Sequence, residues 1–151
     1  MGRLTAAAVV EERIIAREHE ALRVGLSTLA GAVEDAFRLT RVELAERVAR
    51  STAWLHREFL PHAAWEEAWL YAHLDRETGS PWTTRVLRVQ HEQIRELAAA
   101  LETASTVAHQ RWTREIEFGL VAAMARLDAL LSAHLVQEEL IALPLLDESR
   151  G

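Results

Sequence analysis

The chain has no cysteine, which removes both a disulfide framework and any thiolate that could ligate a metal or attack a substrate. Any metal must then be held by histidine and carboxylate, a donor set that suits iron, manganese or zinc. Proline and glycine are scarce, three and six in 151 residues, so few places force a helix to stop. Aromatics make up only 6% of the residues, and no segment alternates apolar and polar positions as a half-buried strand does. Basic charge is in deficit. With 17 Lys and Arg against 23 Asp and Glu the net charge is -6, which argues against nucleic acid as a partner. No apolar run approaches the roughly 20 residues of a membrane span. The opening MGRLTAAAVV meets EER too soon to form a secretory core. A cytoplasmic protein without a membrane partner is expected.

What remains is rich in Ala, Leu, Glu and Arg, and long enough for one domain, 1–151, around a single core. The sparse punctuation predicts four helices, at about 6–36, 41–75, 81–104 and 109–143. Gly31 lies near the first break, and Thr40 with Glu43 makes a capping box that starts the second helix. GSPW, Gly79 to Trp82, supplies a stop, then Ser80 as N-cap and Pro81 as first helical residue. The polar, β-branched stretch from Glu102 to Gln110 marks the third break, and Pro144 closes the last helix. Short connections favour an all-α, antiparallel up-down-up-down bundle.

Steps of three and four pick out one inner stripe per helix. The first runs Ile15, His19, Leu22, Leu26, Leu29; the second Val48, Thr52, Leu55, Phe59, His62, Glu66, Trp69, His73; the third Leu87, His91, Ile94, Ala98, Leu101. The fourth runs Leu120, Met124, Leu127, Leu131, His134, Glu138, Ile141, Leu145. Each stripe carries a histidine in apolar company, and two carry H-x-x-x-E.

Residues four apart on a helix lie one above the other, so His62 with Glu66, and His134 with Glu138, can each reach one point. With His19 and His91 they make four imidazoles and two carboxylates, enough for two cations bridged by carboxylate with two imidazoles apiece. An unpaired buried carboxylate costs several kcal/mol, and no Lys or Arg shares these stripes near the pairs. The distances from His19 and His62 to their shared turn match, as do those of Glu66 and His91, and of His91 and His134. All six therefore fall at one depth of the bundle.

The order H, H-x-x-x-E, H, H-x-x-x-E, carried by REHEALR, LPHAAWEEAWLY, QHEQIREL and AHLVQEELIALPLL, resembles the hemerythrin-like, or HHE cation-binding, domain across nearly the whole chain. Ferritin-like di-iron bundles instead use Glu-x-x-His. The resemblance implies two iron ions, oxo- or hydroxo-bridged, with zinc or manganese as the alternatives. It further implies a protein that carries or senses oxygen, stores or senses iron, or handles peroxide or nitric oxide, with a small diatomic or peroxide ligand. Oxygen carriers of the family resemble H, HxxxE, HxxxH, HxxxxD, with a fifth histidine on the third helix. Here the positions four either side of His91 are Leu87 and Arg95, and the last carboxylate is Glu138, with Glu139 at the carrier's Asp position. A missing imidazole opens a coordination position, which favours reaction or sensing over simple carriage.

Around this set, His73 and Glu12 are expected to face each other as a second polar layer or an access route. Trp65 and Trp69 are expected to pack beside Glu66 and shield it from water, and Tyr71 lies off the stripe. His56 sits at a boundary, His109 at a helix start, and Glu67 and Glu139 are alternative or supporting carboxylates. An oxidase acting on a small organic substrate would need a cavity lined by Trp65, Trp69 and Leu87; a purely structural site would hold zinc. A sensor would act through a protein partner that the sequence does not name, or by forming a homodimer.

Overall fold

The computed structural model describes the backbone of residues 6–148 and the side chains of 14–142 and 144–146. The described residues are almost wholly helical, in four rods, with no strand. The first rod is α1 (Ala6–Asp35), ending in a 3-10 turn at Ala36–Arg38. The second runs α2 (Arg41–Trp54), α3 (Leu60–Trp65) and α4 (Tyr71–Thr78), joined by π-helical turns at Leu55–Phe59 and Glu66–Leu70. The third and fourth are α5 (Arg85–Gln110) and α6 (Arg114–Glu148).

The second rod begins as expected. Thr40 Oγ1 accepts from Glu43 N–H at 3.3 Å, and Glu43 Oε2 accepts from Thr40 N–H at 2.7 Å. Its first π turn sits just before Pro61, whose ring would clash with the carbonyl four residues back; the ladder widens there instead, with Leu60 N–H donating to Leu55 O. The rod ends at Gly79, the one residue with positive φ (65°) among those described, where glycine takes the left-handed conformation without a Cβ penalty.

Several boundaries depart from the sequence expectation. The third rod starts at Arg85 rather than 81, because Ser80 and Pro81 open a string of turns: Ser80 Oγ accepts from Trp82 N–H, and Ser80 O from Thr83 N–H. The stretch 102–110 does not break the rod. Thr103 and Thr106 donate their hydroxyls to carbonyls four residues back, so the β-branched run stays helical, and His109 ends a helix rather than starting one. The gap falls at 111–113, and α6 starts after Thr113, whose Oγ1 accepts from Ile116 N–H. Pro144 lies inside α6 at an exposed position and does not end it.

The membrane expectation also needs correction. Arg114–Leu146 contains an 18-residue window of mean hydropathy 1.4, long and apolar enough by composition to cross a bilayer, because few charges interrupt it. In the bundle this helix packs along α5 and α1, giving Met124, Leu127 and Leu131 to the core.

The core forms two apolar clusters. The larger joins Leu22, Leu26 and Leu29 to Leu55, Phe59, Ile94, Met124 and Leu131; the smaller joins Ile15, Leu70, Tyr71, Leu74, Leu87, Ala142 and Leu146. Trp54 packs against Gly25, where an added Cβ would come within 1.9 Å of its indole nitrogen. Across neighbouring rods the contacts pair rising numbers with falling ones: His62 with Glu18 and Trp54 with Gly25; Glu67 with His91 and Asp75 with Arg88; His91 with His134 and Gln90 with Gln137.

Candidate metal centre

Between the two apolar clusters lies a layer of buried polar residues: His19, His62, Glu66, His91, His134 and Glu138. The six side chains predicted to converge do so. His19 Nε2 is 3.4 Å from Glu66 Oε1 and 3.3 Å from Glu138 Oε2; His62 Nε2 is 2.5 Å from Glu66 Oε1. His91 Nε2 is 3.3 Å from Glu66 Oε2 and 2.9 Å from His134 Nε2, which is itself 3.5 Å from Glu138 Oε2. The donors fall into two groups, each tight enough for one cation: His19, His62, Glu66 and Glu138, then Glu66, His91 and His134. Glu66 belongs to both.

Every imidazole is oriented from outside. Nδ1–H donates to Glu139 Oε1 from His19 (3.1 Å), to Glu18 Oε2 from His62 (2.8 Å), to Glu67 Oε1 from His91 (2.9 Å) and to Gln90 Oε1 from His134 (3.1 Å). Arg23 and Arg95 anchor Glu139 and Glu67 at 2.6 and 2.8 Å, and Gln137 Oε1 accepts from Gln90 Nε2 at 2.6 Å. In a neutral ring whose proton sits on Nδ1, Nε2 turns a bare lone pair inward. His91 and His134 set their Nε2 atoms 2.9 Å apart, so that without a proton or a cation between them two lone pairs would meet. Glu66 Oε2, both oxygens of Glu138 and Nε2 of His62 receive no directed hydrogen bond. A buried site this crowded with acceptors is stable only with positive charge among them.

The ionisation of the side chains follows the same demand. Burial alone would lower the pKa of His19, but Glu138 and Glu66 outweigh it and push it up to about 10; His62 is raised likewise, above all by Glu66. Burial would raise Glu66, yet its three histidine neighbours hold it well below the usual carboxylate range. Glu138 is raised by burial and by the Glu66 charge. His134 is lowered to about 3 by burial and by His91.

The surrounding expectations fare unevenly. Glu67 and Glu139 support imidazoles from outside. Leu87 is fully buried and Arg95 pairs with Glu67, so neither replaces a fifth histidine. Trp69 is 69% exposed and Trp65, also exposed, stacks on His62 at 6.3 Å instead of covering Glu66. Tyr71, expected off the stripe, is fully buried, stacks on His91 at 5.5 Å and keeps a buried hydroxyl without a hydrogen-bond partner. One cause explains both errors: the π turn at Glu66–Leu70 takes five residues where an α turn takes about four, so Leu70 and Tyr71 inherit the inward direction expected for Trp69. On α6 the inner line ends on Ala142 and Leu146 rather than Ile141 and Leu145; with apolar residues at both, the sequence did not separate a step of three from one of four.

His73 is half-buried and lines a cavity of about 180 Å³ with Ile15, Trp65, Trp69 and Arg76; its expected partner, the Glu12 side chain, lies outside the described residues. Leu87 does not line that cavity. His56 is exposed and contacts Glu102. Glu18 and Gln90 were missed. Glu18 neighbours His19 in the chain yet serves His62, and spacing along one helix carries no signal for a contact between two.

Comparison with known proteins adds one match: the family model described as the hemerythrin HHE cation-binding domain covers residues 11–146. Comparisons with curated proteins and with solved structures return no match.

Proposed function

Since the chain belongs to the hemerythrin HHE cation-binding domain family, we propose that it holds a dinuclear non-haem iron centre with which it handles or senses oxygen, peroxide, nitric oxide or iron. The observation that carries this reading is the convergence of four outward-anchored imidazoles on Glu66 and Glu138, with Glu66 common to both donor groups. His19, His62, Glu66 and Glu138 would hold one ion; His91, His134 and the other oxygen of Glu66 would hold the second. The paired contacts between neighbouring rods support an antiparallel up-down-up-down course, which brings one donor set from every rod to this depth.

A bound iron pair supplies reversible one-electron steps and an open coordination position for a small ligand. The protein's part is orientation and exclusion of water. Glu139, Glu18, Glu67 and Gln90 fix which nitrogen faces inward and raise the basicity of each ring. Tyr71, stacked on His91, offers a buried hydroxyl without a hydrogen-bond partner of its own. A cytoplasmic setting, with a small diatomic or peroxide ligand rather than nucleic acid, belongs to this reading. The oxidase reading would need its organic substrate beside the ions; the cavity shared by Trp65 and Trp69 touches none of the six donors, and the pocket between Glu18 and Trp65 reaches only His62.

Metal analysis with an optical spectrum of the protein purified in air tests the proposal. Two irons per chain with near-ultraviolet charge-transfer absorption are expected. Colourless protein carrying stoichiometric zinc would overturn it in favour of a structural site.

A further inference from the structure

Five of the six converging side chains are wholly sealed, and only His62, 6% exposed at its side chain, meets the outside. It lines an open pocket of about 350 Å³ between α1 and the second rod, with Glu18, Leu22, Glu58, Pro61 and Trp65. The pocket has apolar walls and two carboxylates. Glu18, half-exposed, accepts from His62 Nδ1, while Glu58 is exposed and has no bonded partner among the described residues. The Nε2 of the same histidine is buried, without a directed hydrogen bond, and faces Glu66. One ring thus has an edge on the pocket and an edge on the centre.

Two other cavities among the described residues are built differently. The one beside Trp69 and His73 includes Arg76 and no carboxylate, and that at the far end, about 370 Å³, pairs Glu46 with Arg41 and includes none of the six donors. The first sets a fixed positive charge where a cation would have to enter, and the second offsets its one carboxylate with an arginine and reaches no donor.

We propose that the Glu18–Glu58 pocket is the port by which a divalent cation reaches the centre, and that the His19–His62–Glu66–Glu138 group fills first. This rests on the metal-binding reading above. Two carboxylates over low-dielectric walls concentrate cations at the mouth. Glu18 then exchanges its hydrogen bond to His62 for contact with the cation, which frees the imidazole to turn against Trp65 and present a nitrogen outward. As the ring turns back, the cation passes to Glu66.

The test uses Co(II) added to metal-free protein, with uptake followed by stopped-flow absorption. The Glu58→Gln variant should reach the same final stoichiometry and spectrum as the unmodified protein. Its first phase should be roughly five-fold slower at low salt and should depend less on ionic strength. Glu58→Asp should restore the rate, and Glu46→Gln, at the far-end cavity, should leave it unchanged. A Glu58→Gln protein that loads at the unmodified rate, or an equal slowing by Glu46→Gln, overturns the port while leaving the metal centre standing. No Co(II) uptake by the unmodified protein overturns both.

Discussion

Glu66 and Glu67, neighbours in the chain, address His91 from its two opposite nitrogens: Glu66 Oε2 lies 3.3 Å from Nε2 and Glu67 Oε1 2.9 Å from Nδ1. The widened turn that begins at Glu66 lets adjacent residues take these positions. Removing the outer carboxylate should loosen the ring without removing a donor. Glu67→Ala is expected to keep the metal stoichiometry and to weaken affinity about 10- to 100-fold in a competition titration with a chelator. Unchanged affinity would show that Glu67 merely pairs with Arg95.

The two inner carboxylates are not equivalent, because Glu66 belongs to both donor groups and Glu138 to one. Glu138→Gln should therefore retain one equivalent of metal, held by Glu66, His91 and His134, whereas Glu66→Gln should retain less than one. Elemental analysis after dialysis against a defined excess of metal separates the two outcomes. Equal losses would argue that the carboxylates act symmetrically.

Proton linkage gives the metal-free protein a stability maximum near neutrality. His19, raised to about 10, contributes stability that is fully present below the unfolded value of 6.5 and disappears as pH rises through about 10. His134, lowered to about 3, acts in the opposite sense: its contribution is present above 6.5 and is lost as pH falls towards 3. Glu66 adds to the acid loss, since a lowered carboxylate stabilises above its usual 4.5 and ceases to do so on protonation. Denaturation midpoints across pH should peak near 6.5 without metal. Bound metal should abolish the alkaline decline, since the cation takes the place of the His19 proton, which is released on binding at pH 7.

Gly25 supports the fold by closeness rather than by conformation. Gly25→Ala gains about 1 kcal/mol of helix propensity but drives a Cβ into the buried Trp54 indole, so a net loss of about 1 to 3 kcal/mol is expected by denaturant melts. Trp54→Leu in the same background should recover part of it.

Much of the centre was legible because a helix of fixed pitch turns sequence spacing into direction. His62 with Glu66 and His134 with Glu138 follow from a step of four, and His19 and His91 from being the histidines on apolar stripes. The pitch itself was the blind spot. Pro61 marks the π turn at 55–59, but no residue type announces the one at 66–70, so Trp69 was placed inward and Tyr71 outward. The supporting contacts of Glu18 and Gln90 were hidden for another reason: they join different rods, where partnership depends on side-chain reach. Helix ends were hardest to read where hydroxyls satisfied the backbone internally, as Thr103 and Thr106 do.

The wide turn at 66–70 also makes this rod unusually forgiving of a shortened chain. Excising the exposed Ala68 would let the segment relax to an ordinary turn, with Tyr71 one step closer to Glu66 in number and unmoved in bearing. Leu74 and everything beyond would keep their azimuth. The same excision in α2, where no surplus residue is stored, would swing all later side chains by about 100° and scatter the donors to solvent.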